Sequence, residues 1–243
     1  MTAHAARLAR YEANRWYQSP VRRLIVGLTA ALWLAACAEP PGPAPPPTSH
    51  AASASPTAGP VNPANIKRVR SALPAGYEIA DVAGPVSAAG LWGFGSGWTS
   101  TPPQCAALAD PAPADPGARG YSASGPGGIV YVVVAVPDRQ APDDTLRADC
   151  VTWTMAFAHT TGDATLNGGP DIDGAETVAM TVTTRTVVES GTETDGQAVT
   201  AQAYLDGHVV FVTLVTEPGS PHPPLDSGSV GDLLVATVAA LRS

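Results

Sequence analysis

The sequence predicts one α+β domain: an antiparallel sheet covered by helices, following a leader of quite different composition. Three stretches carry that prediction. Gly128 to Val136 is a nearly unbroken apolar, β-branched run, as expected of a buried central strand. Asp206-Gly207 separates two alternating runs, Ala198–Leu205 and His208–Val215, and Asp-Gly is the dipeptide that a tight hairpin turn with positive φ at both central positions prefers. Ser227 to Leu241 places Leu233, Leu234, Val238 and Leu241 at helical spacing behind a Ser227 or Ser229 cap.

The remaining elements follow in chain order. Ala64–Leu73 has Ile66, Val69 and Leu73 at helical spacing before Pro74, so a helix is expected there. Tyr77–Val82 alternates as a strand. Gly84–Pro103, rich in Gly, Ser and Trp, reads as loop with one helical turn. Asp143–Ala156 opens with two acids and offers a helical face of Leu146, Cys150 and Trp153. Glu176–Val188, dense in Thr and Val, reads as a long strand. No internal repeat is present.

Upstream, the chain reads as an export signal, residues 1–36. Arg22-Arg23 form a basic start and Leu24–Leu34 an uncharged apolar run. That run is shorter than the roughly 20 residues a membrane span requires. Leu34-Ala35-Ala36-Cys37 then has the pattern of a lipobox, in which the Cys37 thiol accepts diacylglycerol. Residues 1–20 add a mixed-charge arm that such a signal does not need, and Val21 offers a translation start. The elements flanking a twin-arginine signal are missing, so general secretion is expected. Stable anchoring takes two or more acyl chains, at about 0.8 kcal/mol per buried methylene. The expected location is the outer face of the cell membrane, with the lipid on Cys37 as the membrane contact.

Residues 37–63 hold the lipidated Cys37 and a Pro/Ala/Ser tether with nine prolines and no hydrophobic period. Fully extended, it spans roughly 80 Å at about 3.1 Å per residue. The extracytoplasmic domain then occupies residues 64–243.

Charge narrows the partners. Only 14% of the 243 residues are charged, and downstream of residue 36 eight basic side chains face twenty acidic ones. An acidic surface repels phosphate backbones, so nucleic acid is excluded as an expected partner. After Cys37 is committed to lipid, Cys105 and Cys150 remain, and an oxidising compartment predicts one disulfide between them. Two buried free thiols are the alternative.

No catalytic or cofactor motif is complete. Gly93-Phe94-Gly95-Ser96-Gly97 lacks the final glycine of a dinucleotide loop and both flanking glycines of a nucleophile elbow. Asp171-Ile172-Asp173-Gly174 resembles the middle of a calcium loop, but Gly169 and Met180 stand where the first acid and the bidentate Glu belong. His159, His208 and His222 show no metal-ligand spacing. No cofactor, metal or catalytic residue is therefore expected. The candidate ligand or partner contacts are Trp92 and Trp98, whose rings line an apolar site or anchor the core, and His222, which Pro218, Pro221, Pro223 and Pro224 hold on a stiff loop.

Asn62–Ala83, Trp92–Trp98, Cys105, Ala148–Thr154 and Ala203–Leu241 together resemble a family of mycobacterial lipoproteins with a shared domain of unknown function. The family has no assigned activity, so the resemblance implies location and architecture but no catalytic residue. In layout the domain is also similar, more distantly, to the extracellular sensor domains of mycobacterial serine/threonine kinases and to lipoproteins of the PsbP-like fold. These likenesses imply binding of an envelope ligand or a protein partner. The rival expectations are an envelope hydrolase with a dispersed triad and an accessory subunit of an envelope complex.

Overall fold

A computed structural model describes residues 59–216, 219–223 and 225–243. The export signal, Cys37 and the tether up to residue 58 lie outside the described residues, as do Pro218 and Pro224 of the loop around His222.

The domain is built on a single nine-stranded antiparallel sheet. Its strands are β1 (Glu78–Ala83), β2 (Thr99–Thr101), β3 (Arg119–Gly125), β4 (Gly128–Ala135), β5 (Thr152–Phe157), β6 (Thr160–Gly168), β7 (Glu176–Val187), β8 (Glu193–Leu205) and β9 (His208–Thr216). Their spatial order is β1-β3-β4-β9-β8-β7-β6-β5-β2. The expected hairpin is β8–β9: Leu205 faces His208, and Gly207 takes the positive φ of 68° that its turn demands. β4 lies inside the sheet, third from the β1 edge, with every residue from Val132 to Ala135 buried.

Helices cover this sheet only in part, so the domain is richer in sheet than the expected α+β arrangement. α4 (Ser227–Leu241) lies on one face. Its Val230, Leu234, Val238 and Leu241 are almost fully buried against β4, β8 and β9. At about 1.5–3 kcal/mol for each large aliphatic side chain withdrawn from water, this stripe fixes the helix in place. Asp226, and neither expected serine, is its cap: the carboxylate accepts the Ser229 amide at 2.7 Å. The expected N-terminal helix winds instead as a 3₁₀ segment, Pro63–Ala72, capped by Asn62. Three residues per turn stack Ile66 directly above Val69, the two apolar side chains it buries beside α4.

The other face packs beneath α1 (Ala88–Leu91), α2 (Ala106–Ala109) and their connections, which bring Trp92, Phe94 and Leu108 onto Val133, Met180, Ala198 and Phe211. The expected helix Asp143–Ala156 is a correction. Only α3 (Asp144–Asp149) is helical; the chain then enters β5, where Trp153 and Met155 are buried while Thr152 and Thr154 are exposed. Alternation of period two overrides the coincidence that Leu146, Cys150 and Trp153 also fit a helical face. Cys150 closes α3, and its sulfur is bonded to Cys105 at the start of α2, with Cα atoms 5.6 Å apart.

Candidate functional site

Two adjoining concavities, about 370 and 860 Å³, form one groove at the end of the sheet where β8 turns into β9. They share Asp138, Arg139, Gln140, Ala141 and Tyr204. Three segments distant in sequence supply the walls: the end of α2 with Asp110 and Pro111, the loop from Val136 to Asp143, and the β8–β9 turn with Asp206 and His208.

Each wall is fixed by a specific contact. Asp115 accepts the amides of Gly117 at 2.8 Å and Val136 at 2.7 Å, and so sets where the second loop leaves β4. Asp138 donates its amide to the Pro111 carbonyl at 2.9 Å, tying the first wall to the second. Arg147 reaches the Pro142 carbonyl at 3.2 Å and Glu176 at 2.8 Å, which closes the far side. On the floor, the Tyr204 hydroxyl donates to Gln202 at 3.1 Å, and the Gln202 amide donates to the Leu108 carbonyl at 2.9 Å. Burial pushes the Tyr204 phenol well above its ordinary value, so it stays a neutral hydroxyl.

Asp110 is the perturbed acid of the groove. Burial pushes its pKa up to about 6, and the charge of Asp138 adds to the rise. The Ser87 hydroxyl and the Ala88 amide, which donate to it, pull the other way. Through these two bonds the carboxylate also holds the start of α1, so it has a structural task as well as a place in the groove.

Trp92, Trp98 and His222, the contacts expected from sequence, lie outside the groove. Trp92 is 4% exposed, and its indole donates to Thr200 at 3.0 Å inside the core. Trp98 is half-buried and packs at 6.4 Å, ring centre to ring centre, on Phe94. His222 is exposed, and its backbone amide donates to Ser220 at 3.2 Å. His159 forms the turn between β5 and β6. His208 lines the groove, where its imidazole meets the Asp206 carbonyl at 3.0 Å. The calcium-like turn holds a cation of its own kind: the Arg242 guanidinium donates to the carbonyls of Asp173 and Gly174 at 2.6 and 2.8 Å.

Asp110, Asp138 and Tyr204 were not singled out. The accessible signal was Pro137-Asp138-Arg139-Gln140-Ala141-Pro142-Asp143, a polar loop bounded by prolines directly after the central strand.

No curated protein matches the chain. Among solved structures, the crystal structure of an uncharacterized protein from Mycobacterium smegmatis is similar, with a TM-score of 0.57 and 22% identity over 75% of this chain and 98% of that one. This likeness shows a shared fold. The family described as a domain of unknown function, DUF5642, matches residues 62–242, the whole sheet with its covering helices, and the chain belongs to that family.

Proposed function

We propose that this chain is a cell-envelope lipoprotein whose domain binds an envelope ligand or protein partner in the Tyr204 groove. In this reading residues 1–36 direct export, Cys37 carries the lipid, and the Pro-rich tether that ends before the Asn62 cap holds the domain clear of the membrane. The observation that carries the binding role is the groove itself. It combines a volume suited to a small ligand or a peptide segment, apolar lining from Pro111, Ala141 and Leu146, and polar lining from Asp110, Asp138 and Arg139. The disulfide between Cys105 and Cys150 supports an exported protein, because such bonds persist in oxidising compartments.

The test is native mass spectrometry of the full chain, expressed in an actinobacterial host and extracted with detergent, followed by denaturation and identification of whatever is released. A bound molecule that is lost in Asp138→Ala supports the groove. A chain that carries nothing, and captures no envelope component when the extract is added back, removes the binding reading. Location is checked separately: Cys37→Ser is expected to move the protein from the membrane fraction to the soluble exported fraction. If it stays with the membrane, lipid on Cys37 is not the anchor.

A further inference from the structure

The charge of the domain is segregated. Residues 62–243 carry eight basic and nineteen acidic side chains. Four of the basic ones, Lys67, Arg68, Arg70 and Arg119, meet at one corner in the company of Glu78, Asp81 and Asp115. The other four are set against sixteen acids over the rest of the domain.

The 3₁₀ segment builds this corner. Three residues per turn align Lys67 with Arg70, and both bind Asp81 of β1. Arg68 is exposed on the neighbouring row, where it donates to the Ser243 hydroxyl at 2.9 Å. A hollow of about 380 Å³ lies between the segment and the ends of β1 and β3, and Lys67 and Arg119 both line it. Asp115 is taken up by the amides of Gly117 and Val136. Arg68 and Arg119 have no carboxylate partner among the described residues. Ile79, two residues before Asp81 and so on the same face of β1, is 41% exposed.

We propose that this corner is the face the domain turns to its membrane, where it docks on anionic phospholipid headgroups. The proposal depends on the Cys37 anchor proposed above. Charge complementarity selects the occupant: Arg68, Arg119 and Lys67 meet lipid phosphates, while the acidic remainder of the domain is repelled from the same surface. The hollow gives one phosphate a place between Lys67 and Arg119, and Ile79 adds an apolar contact beside it. The chain also enters the domain here. Asn62 caps the 3₁₀ segment and donates its amide to the Leu241 carbonyl at 2.7 Å, so the tether joins the domain beside the basic cluster. A tethered domain is held at high effective concentration over the membrane, so contacts too weak to recruit a free protein are enough to orient this one.

Lys67 is the only lysine of the chain, so its acetylation reports on this face alone. The experiment places the detergent-extracted full chain on vesicles of phosphatidylcholine, alone or with about 30% phosphatidylglycerol, and follows acetylation of Lys67 by an uncharged reagent with mass spectrometry. The reaction is expected to be at least about fivefold slower on the anionic vesicles, and the difference to vanish at about 0.5 M salt. Combining Arg68→Gln with Arg119→Gln changes two exposed side chains, keeps the reporter, and is expected to remove most of the protection. Equal rates on the two vesicles, or protection unchanged in the double variant, overturn the proposal. Protection that appears only when an envelope protein extract is added assigns the face to a protein and overturns it as well. Sedimentation with the neutral vesicles reports the Cys37 anchor by itself, so failure of the anchor is distinguished from failure of this face. A chain that sediments only with the anionic vesicles, its Lys67 protected, supports the face without the anchor; one that sediments with neither overturns both.

Discussion

The indole Nε1 of Trp92 donates to Thr200 Oγ1 at 3.0 Å, and that hydroxyl meets the hydroxyl of Thr213 at 2.8 Å. All three residues are buried, so a loop from one face of the sheet is bolted to its two central strands by a polar chain inside an apolar core. Such a chain fixes position because each member would be costly unpaired.

The first prediction concerns this bolt. Thr200→Val keeps the shape but leaves the indole N–H without an acceptor, and a loss of about 1–3 kcal/mol is expected in urea denaturation. Thr200→Ser keeps the oxygen and is expected to lose less. Equal losses for both variants would assign the effect to packing and not to the hydrogen bond.

The disulfide between Cys105 and Cys150 closes a loop with a sequence separation of 45. Replacing both cysteines by serine is expected to lower stability by roughly 3–4 kcal/mol through the unfolded chain. Changing both avoids a lone reactive thiol. An unchanged denaturation midpoint would show that the fold does not depend on the staple.

Gly120 in β3 faces a neighbouring strand so closely that a Cβ would run into the Val132 carbonyl. Gly120→Ala is expected to cost on the order of 3 kcal/mol, because backbone and not a flexible side chain must give way. Gly168, near the end of β6, has nothing within 4 Å of the same position. Gly168→Ala is the matched control and is expected to be near neutral. Comparable losses at the two positions would mean that close strand approach is not what requires Gly120.

These glycines also show why parts of the fold were hard to read. β3 (Arg119–Gly125) contains two glycines and two serines, so its only apolar signals are Tyr121, Ala123 and the weak run of small residues. Its burial comes from the 3₁₀ segment laid over it, a long-range contact that no local pattern announces. β5 was hidden because one strand face and one helix face shared the same residues. β4, β8, β9 and α4 were legible because each carries its period over eight residues or more, with a turn or cap at its boundary. The cysteine pairing was legible by counting. The Tyr204 groove was not, because Asp110, Asp138 and Tyr204 meet only through the sheet order, which places β4 beside β9 and β9 beside β8.

Asp110 gives the domain a pH dependence whose sign is fixed by its surroundings. Its folded pKa, pushed up to about 6, lies above the ordinary value of 3.8. The folded state therefore binds the proton more tightly than the unfolded chain does. The stabilising contribution is complete below about 3.8 and is lost as pH rises through about 6. Discounted for its partial exposure, it makes the domain about 1 kcal/mol more stable at pH 5 than at pH 7.5. Asp81 and Asp226 have lowered values, so their contributions change only below this window. Asp110→Asn keeps an oxygen for the Ser87 hydroxyl or the Ala88 amide and removes the titration. Urea denaturation across this range is expected to show the slope in the natural chain and a flat profile in the variant. A slope that persists in Asp110→Asn would place the titrating group elsewhere.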